Sequence, residues 1–348
     1  MSGIAIIGAG IFATEEHLPS LKRVDANLKA VYSRSKSSAE NFLSAAQKLG
    51  FAASQIDLYS DDSEQGLDDL LKRPDIAGVI IVLPITIQPA IIRRCLAAGK
   101  HVLSEKPIAE DVRSARELIS DYQQKYAPEG LILSIAEQFR YMKANEVGRR
   151  WIVEDNAIGT LIQVHVRMWR NFKPGGKYVE TAWRKIPAYQ GGFVLDGGVH
   201  HIALARYVSG QEIVETRSFA TQLAAHLPPV DTVNAAILLS GGASGTLSMS
   251  FASTKPATEF VFIGTKGTLT INMDGPNTSV LKLQSEDGKL LKEQTVESQG
   301  IDCEIKAFLH AIAAGKAEER AGVIEALNDV AVVESLYAGG GRVDIWKS

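Results

Sequence analysis

The amino-acid sequence predicts an α/β protein in which a doubly wound parallel sheet is followed by a C-terminal α+β domain with a large open, mostly antiparallel sheet. Short, continuously apolar runs alternate with helix-like stretches as far as Ile135, which is typical of parallel strands covered on both faces. Beyond that residue, apolar and polar side chains alternate singly, as in a sheet packed on one face. The predicted domains are therefore residues 1–134 and 135–348.

The N-terminal domain is predicted to hold six strands separated by helices. Each apolar run is short and is bounded by polar or glycine-containing segments, and helix-like stretches follow four of the six runs, whereas a polar segment follows the second. In chain order, the predicted strands are 4–7, 28–32, one ending at 59, 78–83, 101–104 and 131–135, and the helices are 12–22, 66–72, 89–98 and 112–126.

The C-terminal domain is predicted from single-residue alternation. Residues 160–168 place Ile162, Val164, Val166 and Met168 on one face and polar side chains on the other. Similar runs occur at 213–223, 233–239, 245–252, 259–263, 268–271, 280–283 and 290–296. Helices are predicted at 145–155, 301–314 and 321–337, with a further one carrying both Asp196 and His200.

Composition limits the function classes. A chain of 348 residues that is 45% hydrophobic can bury two cores, and a net charge of -3 without clustered Lys or Arg argues against a nucleic-acid partner. We see neither a secretory signal nor an apolar run of about 20 residues, so a cytoplasmic protein without a membrane partner is expected. Cys95 and Cys303 have no ligand-like spacing, which predicts buried thiols and no metal site.

A glycine-rich segment follows the first strand. Gly8-Ala9-Gly10-Ile11-Phe12-Ala13 fits the pattern G-x-G-x-x-A between a strand and a helix. Such glycines let the backbone approach a pyrophosphate, whose charge is attracted by the helix N-terminus. A purely structural glycine turn is the alternative, but the strand-turn-helix context favours a Rossmann dinucleotide site that includes Gly8, Gly10, Ile11 and Phe12.

The end of the second strand indicates which dinucleotide is bound. An NAD site places a carboxylate there for the ribose, whereas this chain has Ser33-Arg34-Ser35-Lys36 and no acid until Glu40. A guanidinium can hold a 2′-phosphate through two hydrogen bonds, and Ser33 can donate another. The sequence therefore predicts NADP(H) in preference to NAD(H), the alternative being that Arg34 and Lys36 are ordinary surface charges.

Two segments carry the candidate catalytic residues. Lys106 follows the fifth strand directly, where ligands of open α/β sheets bind, and Pro107 restricts its backbone through a peptide bond that can be cis. Asp196 and His200 are four residues apart, so on one helix the carboxylate could reach and orient the imidazole. The alternative is that Asp196 caps a helix and His200 is a packing residue.

These segments together resemble the Gfo/Idh/MocA oxidoreductases, the family of glucose-fructose oxidoreductase, inositol dehydrogenase and MocA. The matching stretches lie in order across the chain: Gly8-Ala9-Gly10, Ala98-Gly99-Lys100-His101-Val102 leading into Glu105-Lys106-Pro107, and Gly191-Gly192 followed by Asp196 and His200. The resemblance implies a Rossmann domain plus a C-terminal domain whose open sheet often forms an oligomer interface.

The resemblance also implies roles for individual residues. Lys106 would steady the substrate oxygen, His200 would act as acid or base, and Asp196 would complete the group. Glu105 would support cofactor placement and Pro84 would line the nicotinamide pocket. Further cofactor contacts are expected from Leu83, Gln88 and Lys106, and substrate contacts from Tyr141, Trp169, Asn171, Trp183 and Arg184.

The chain also departs from the family pattern. Many members have a histidine a few residues after the proline of the fourth strand, where this chain has Ile85 to Gln88, and an aspartate where Ala203 stands. It therefore looks closer to fungal NADP-dependent members and to dimeric dihydrodiol dehydrogenase-like proteins.

The predicted function is NADP(H)-dependent hydride transfer to or from a CH-OH or carbonyl group of a sugar-like, polyol or cyclic diol or aldehyde substrate. The alternative is a non-catalytic NADP(H)-binding sensor of the same fold. The open sheet predicts a homo-oligomer, with a dimer as the first expectation.

Overall fold

The structure of the chain is a computed structural model that describes residues 3–275 and 277–345. Within those residues, six strands form a parallel sheet and nine strands form a second sheet in which one neighbouring pair is parallel and the others are antiparallel. The predicted fold class is therefore confirmed. None of the helices in the described part is both long and apolar enough to cross a membrane.

The first sheet is the doubly wound parallel sheet expected from the continuous apolar runs. Its strands are β1 (Gly3–Ile7), β2 (Leu28–Ser33), β3 (Asp57–Ser60), β4 (Ile76–Ile81), β5 (His101–Glu105) and β6 (Leu133–Ala136). Their order is β3-β2-β1-β4-β5-β6. Successive strands are therefore added first toward one edge of the sheet and then, from β4 onward, toward the other edge, so the strand order reverses between β1 and β4. Ligands of such sheets bind beyond the carboxyl ends of the strands at this reversal.

Helices cover this sheet on both faces. They are α1 (Leu18–Arg23), which continues a π-helical turn at Ala13–His17, α2 (Lys36–Lys48), α3 (Leu67–Leu71), α4 (Gln88–Ala97) and α5 (Val112–Asp121). All five residues of β1 are buried, which explains why the strand is apolar throughout rather than alternating.

A helix from the far end of the sequence completes the first core. The α10 helix (Gly300–Ala314) packs Ile305 and Phe308 against Ile4 and Ile6 of β1. The two compact units are consequently not contiguous halves of the chain divided after residue 134. The first contains residues 1–109, 113–137 and 301–326, and the second contains 110–112, 138–300 and 327–348. The reason is that the apolar side chains of α10 are buried by the parallel sheet.

The second sheet follows the predicted alternation. Its strands are β7 (Leu161–Asn171), β8 (Ile213–Thr221), β9 (Thr232–Leu239), β10 (Ser244–Ser250), β11 (Ala252–Gly264), β12 (Gly267–Met273), β13 (Thr278–Ser285), β14 (Leu290–Glu297) and the unpredicted β15 (Gly340–Arg342). They lie in the order β14-β13-β12-β11-β7-β10-β9-β8-β15. Val164, Val166 and Met168 of β7 are buried as predicted, whereas Ile162 is exposed, so the regular alternation begins after it.

Helices of the second unit cover one face of this sheet. They are α6 (Lys143–Arg149), α7 (Ala182–Lys185), α8 (Gly192–Asp196), α9 (Val199–Ser209) and α11 (Val323–Tyr337), the last of which begins in the first unit. The His201 ring of α9 stacks on Phe260 of β11, with ring centroids 5.9 Å apart, and Phe260 is paired in the sheet with Val166. The buried face of β7 is thus the face on which α9 lies.

Candidate active site

The glycine loop after β1 has the geometry of a cradle for a phosphate group. Gly8 has a φ of 110°, and a Cβ atom there would lie 2.2 Å from the carbonyl oxygen of Val82, so only glycine fits. Gly10 is exposed, and a Cβ atom on it would meet nothing within 4 Å. The helix that follows begins at once, with Thr14 N donating to Gly10 O at 3.0 Å. Free space beside Gly10 and a helix N-terminus together fit a dinucleotide pyrophosphate.

The residues predicted to select NADP(H) lie after the end of β2. Ser33 is buried at the strand end, while Arg34 and Lys36 are exposed. Ser35 caps α2 by accepting a hydrogen bond from Ser38 N at 3.3 Å. The chain therefore turns sharply after Ser33 and leaves the two cations accessible from solvent at the carboxyl edge of the sheet.

Two acids that the sequence reading missed lie beside this turn. Asp62 Oδ1 accepts a hydrogen bond from the backbone N–H of Lys36 at 2.6 Å, and Asp61 Oδ1 accepts one from the Tyr32 hydroxyl at 2.7 Å. Burial and then this hydrogen bond raise the pKa of Tyr32 to about 12. Both acids follow β3, which is the parallel neighbour of β2, so pairing the carboxyl ends of adjacent strands would have found them.

Gln88 is a candidate cofactor residue whose side chain is buried and hydrogen-bonded within the protein. Leu83 and Pro84 follow β4 and are partly exposed, whereas Gln88 is buried at the start of α4. Its Oε1 accepts a hydrogen bond from Ser104 of β5 at 2.7 Å, and its Nε2 has no hydrogen-bond partner among the described residues. The contact holds α4 against the end of β5.

The Glu-Lys-Pro segment ends β5. Glu105 is buried, its Oε1 lies 2.7 Å from His17 Nε2, and the Lys106–Pro107 peptide bond is cis. His17 lies on the helical segment that begins at the glycine loop, so this contact ties the loop to the residue before Lys106. Glu105 thereby supports the loop through His17, and its role in cofactor placement stays a prediction.

A further carboxyl group joins this region from α10. Glu304 is fully buried, and burial, followed by the nearby charges of Glu105 and Glu137, raises its pKa well above the usual value, while Lys106 opposes the change. The ammonium of Lys106 is therefore within electrostatic range of a buried carboxyl group. No local pattern in the sequence indicated Glu304, because about 200 residues separate it from Glu105 along the chain.

Asp196 and His200 do not lie on one uninterrupted helix, which corrects the prediction. Asp196 ends α8 and His200 belongs to α9, with Gly197 and Gly198 between them. A Cβ atom on Gly197 would lie 3.1 Å from the Phe251 ring, and one on Gly198 would lie 2.4 Å from the carbonyl oxygen of Val194. The groups that closely approach these two glycines are thus parts of the protein itself.

Asp196 has an arginine partner that the sequence reading did not assign to it. Its Oδ2 accepts a hydrogen bond from Arg184 Nε at 2.7 Å. The same guanidinium lies 3.9 Å from the centre of the Trp183 ring and 5.3 Å from that of Tyr178. Trp183 and Arg184, both candidate substrate residues, thus form a packed cluster with the carboxylate of Asp196. This connection fixes the segment around α7 to the end of α8.

His200 lies against an aromatic ring that is itself held by a buried ionic network. Its imidazole stacks on Phe139 with the centroids 4.7 Å apart and the planes at 16°. The next residue, Arg140, is buried and bonded to Asp329 of α11, and Asp329 Oδ1 also accepts from Arg206 of α9 at 2.5 Å. One carboxylate therefore joins the segment bearing Phe139 to the helix bearing His200.

The remaining substrate candidates occupy three different environments. Tyr141 is buried, with 2% of its surface exposed, which places its ring in the core. Trp169 points to the sheet face opposite that of Met168 and donates a hydrogen bond to Ser248 at 2.9 Å. Asn171 is exposed at the end of β7. Trp169 is therefore on the opposite face of the sheet from the buried side chains that α9 covers.

The candidate catalytic residues are divided between the two units: Lys106 belongs to the first, and Asp196 and His200 to the second.

In residues 3–275 and 277–345 no group of three or more His, Cys, Asp or Glu side chains could hold a metal ion. Cys95 is buried, whereas Cys303 is exposed, so the expectation of two buried thiols is wrong for Cys303. Cys303 lies on the solvent-facing side of α10, where packing does not require a buried side chain.

Comparisons with known proteins agree with the fold described above. Residues 2–127 match the model of an oxidoreductase family with an NAD-binding Rossmann fold, and residues 150–270 match the model of the GFO/IDH/MocA C-terminal domain. Dehydrogenase FPY6 of Fusarium mangiferae is 38% identical over 97% of this chain and 95% of its own length.

Two solved structures have the same fold over nearly the whole chain. An oxidoreductase from Thermotoga maritima is 29% identical and superposes with a TM-score of 0.84, covering 98% of each chain. A 3-ketoreductase from Actinomadura kijaniata, solved with NADP and TDP-benzene, is 22% identical with a TM-score of 0.77, covering 97% of each chain.

Proposed function

Because the chain belongs to the Gfo/Idh/MocA family of oxidoreductases, we propose that it is an NADP(H)-dependent enzyme. It transfers a hydride between the nicotinamide and a CH-OH or carbonyl group of a sugar-like, polyol or cyclic diol or aldehyde substrate. The single observation that carries the proposal is the open space beside Gly10, at the same carboxyl edge of the parallel sheet as Lys106. A phosphate cradle and a candidate catalytic lysine on one edge are what a nicotinamide enzyme requires.

The preference for NADP(H) is supported by the charges after β2. Arg34 and Lys36 are accessible cations, and Arg34 has no carboxylate partner among the described residues. The nearby carboxylates of Asp61 and Asp62 already accept hydrogen bonds from Tyr32 and from the backbone of Lys36. A 2′-phosphate would therefore meet an available guanidinium, whereas a ribose diol would meet carboxylates that are already engaged.

This preference is tested by Arg34→Ala. The Kd for NADPH is expected to rise by roughly 10- to 100-fold, since a charge-assisted pair of hydrogen bonds is lost, while the Kd for NADH changes by less than about twofold. Binding is measured by titrating nicotinamide fluorescence, with the exposed Arg150→Ala as control. Equal losses for the two dinucleotides would refute the assignment.

In the proposed reaction each candidate residue has a defined task. When bound, the nicotinamide supplies or accepts the hydride. The ammonium of Lys106 stabilises negative charge on the substrate oxygen, and a ring nitrogen of His200 takes the hydroxyl proton in oxidation or returns it in reduction. Phe139 fixes the plane of that imidazole through stacking. Asp196 holds Arg184 through a hydrogen bond and ends the helix before the glycine junction that leads to His200.

Lys106→Ala separates an enzyme from the alternative, a non-catalytic NADP(H) sensor. In an enzyme this substitution lowers turnover by at least about a hundredfold, while NADPH binding stays within a few-fold of wild type, because the lost charge acts on the reacting oxygen. The assay follows NADPH oxidation with a panel of sugar-like aldehydes, ketones and cyclic diols, and the exposed Lys316→Ala is the control. Wild-type NADPH binding without turnover of any member would favour the sensor.

We further propose a cytoplasmic homodimer. Phe219 and Leu238 are exposed large apolar side chains on neighbouring strands of the second sheet, and apolar groups at such positions favour self-association. Sedimentation equilibrium that gives the mass of one chain at micromolar concentration would contradict the dimer.

A further inference from the structure

Arg170 is a charged side chain with an unusual environment. Among residues 3–275 and 277–345 it is the one arginine that is not exposed and whose side chain forms no hydrogen bond or ion pair. Burial lowers the pKa of Arg170 below its ordinary value, and no neighbouring acid opposes that change. Arginine stays protonated in proteins, so the side chain is a half-buried cation without a counter-charge in the described part of the chain.

The position of Arg170 in β7 shows which face of the sheet it occupies. Val166 and Met168 are buried on the face covered by α9, and side chains two residues apart point the same way, so Arg170 points to that face. Trp169 is paired with Ser250 of β10, which places Arg170 next to Phe251. The Phe251 ring lies against Gly197, in the junction between Asp196 and α9. Arg170 is thus on the same face as the helix that carries His200.

Phe251, which the register of β7 and β10 places beside Arg170, belongs to an aromatic cluster, and the guanidinium of Arg170 is accessible. The Phe172 ring lies 5.2 Å from those of both Phe193 and Phe251. Each side-chain nitrogen atom of Arg170 keeps some exposed surface, so solvent or a ligand can reach the guanidinium. Partial burial of a cation is unfavourable unless an anion compensates for it. By contrast, Arg184 in the same unit is paired with the carboxylate of Asp196.

We propose that Arg170 binds an oxyanion, a carboxylate or a phosphate, carried by the substrate. The planar guanidinium donates two parallel hydrogen bonds to such a group, and the partial burial of Arg170 shields them from water. The substrate class is then an anionic aldehyde or ketone, or the corresponding hydroxy compound. The identification of this ligand as substrate rests on the proposed function, whereas binding of the anion does not.

Matched pairs of substrates test the proposal. Succinic semialdehyde is compared with butanal, and D-glyceraldehyde 3-phosphate with D-glyceraldehyde, in NADPH oxidation by wild type, Arg170→Gln, Arg170→Lys and the exposed control Arg150→Gln. We expect at least one anionic member to have the higher kcat/KM, and Arg170→Gln to lower that value roughly 10- to 100-fold while changing the neutral member less than about twofold. Arg170→Lys should recover part of the loss. The pair that shows the preference identifies the anion as carboxylate or phosphate.

Direct binding keeps the test decisive if no probe is turned over. Isothermal titration of the NADP-loaded protein with succinate and with glycerol 3-phosphate is expected to show binding that weakens by the same factor in Arg170→Gln. That result without turnover would support the anion site and count against hydride transfer to these substrates. The proposal is overturned if wild type binds neither anion, if Arg170→Gln binds them equally well, or if the substitution affects neutral and anionic substrates alike.

Discussion

Gly10→Ala measures whether the glycine loop serves a ligand or only the fold. The new Cβ atom would meet no atom of the protein within 4 Å, and Gly10 does not have the positive φ that disfavours alanine. The substitution is therefore expected to leave the free energy of unfolding unchanged or to raise it by about 0.4–1 kcal/mol, because alanine restricts the unfolded chain.

The same atom would enter the space assigned to the pyrophosphate. A ligand in van der Waals contact with the glycine backbone would have to move by about 1 Å, and relieving such a clash typically costs about 1–3 kcal/mol. The expected rise in the Kd for NADPH is thus roughly 5- to 150-fold.

Urea unfolding followed by circular dichroism measures the stability, and a titration of NADPH fluorescence measures the affinity. Gly8→Ala is the contrasting variant, since its Cβ atom would lie 2.2 Å from a backbone carbonyl and should reduce stability as well as binding. If Gly10→Ala kept wild-type affinity for both NADPH and NADH, the loop would not be a pyrophosphate cradle and the reasoning would be refuted.

Two further predictions concern buried groups near the candidate catalytic residues. The raised pKa of Glu304 means that its contribution to stability is complete below the ordinary value of 4.5 and is lost as the pH rises through the folded-state pKa. Glu304→Gln should therefore unfold at the same urea concentration as wild type in acid and at a higher urea concentration above that pKa. The gain in the free energy of unfolding is about 1.4 kcal/mol for each unit by which folding raises the pKa of Glu304. Parallel pH profiles of the two proteins would contradict this. Gly198→Ala should lose about 1–3 kcal/mol in the same assay because its Cβ atom would lie 2.4 Å from Val194 O, and a loss no greater than that of Gly10→Ala would show that the junction relaxes freely.

Local patterns predicted most elements of the fold. The apolar run before Gly8 marked β1, and the alternation through Val164, Val166 and Met168 marked β7, because burial on two faces or on one face dictates those patterns directly. The short strand β15 was missed because three residues containing two glycines carry no periodicity.

Contacts between distant residues were the part that the sequence did not reveal. The spacing of Asp196 and His200 suggested one helix, but two glycines packed against Phe251 and Val194 interrupt it. Arg184 was assigned to substrate because nothing in its own segment shows that the carboxylate of Asp196 lies 2.7 Å away. The sequence is enough to nominate the candidate residues, whose roles stay predictions, whereas their partners depend on tertiary packing.

The late position of α10 in the chain has a consequence for synthesis on the ribosome. The parallel sheet has all its strands once residue 136 has been translated, but Ile305 and Phe308, which cover β1, follow about 170 residues later. At typical elongation rates of 5–20 residues per second, that interval is roughly 8–30 s. During it the part of β1 that α10 covers lacks that helix, and exposed apolar surface of this kind makes a nascent chain prone to aggregation.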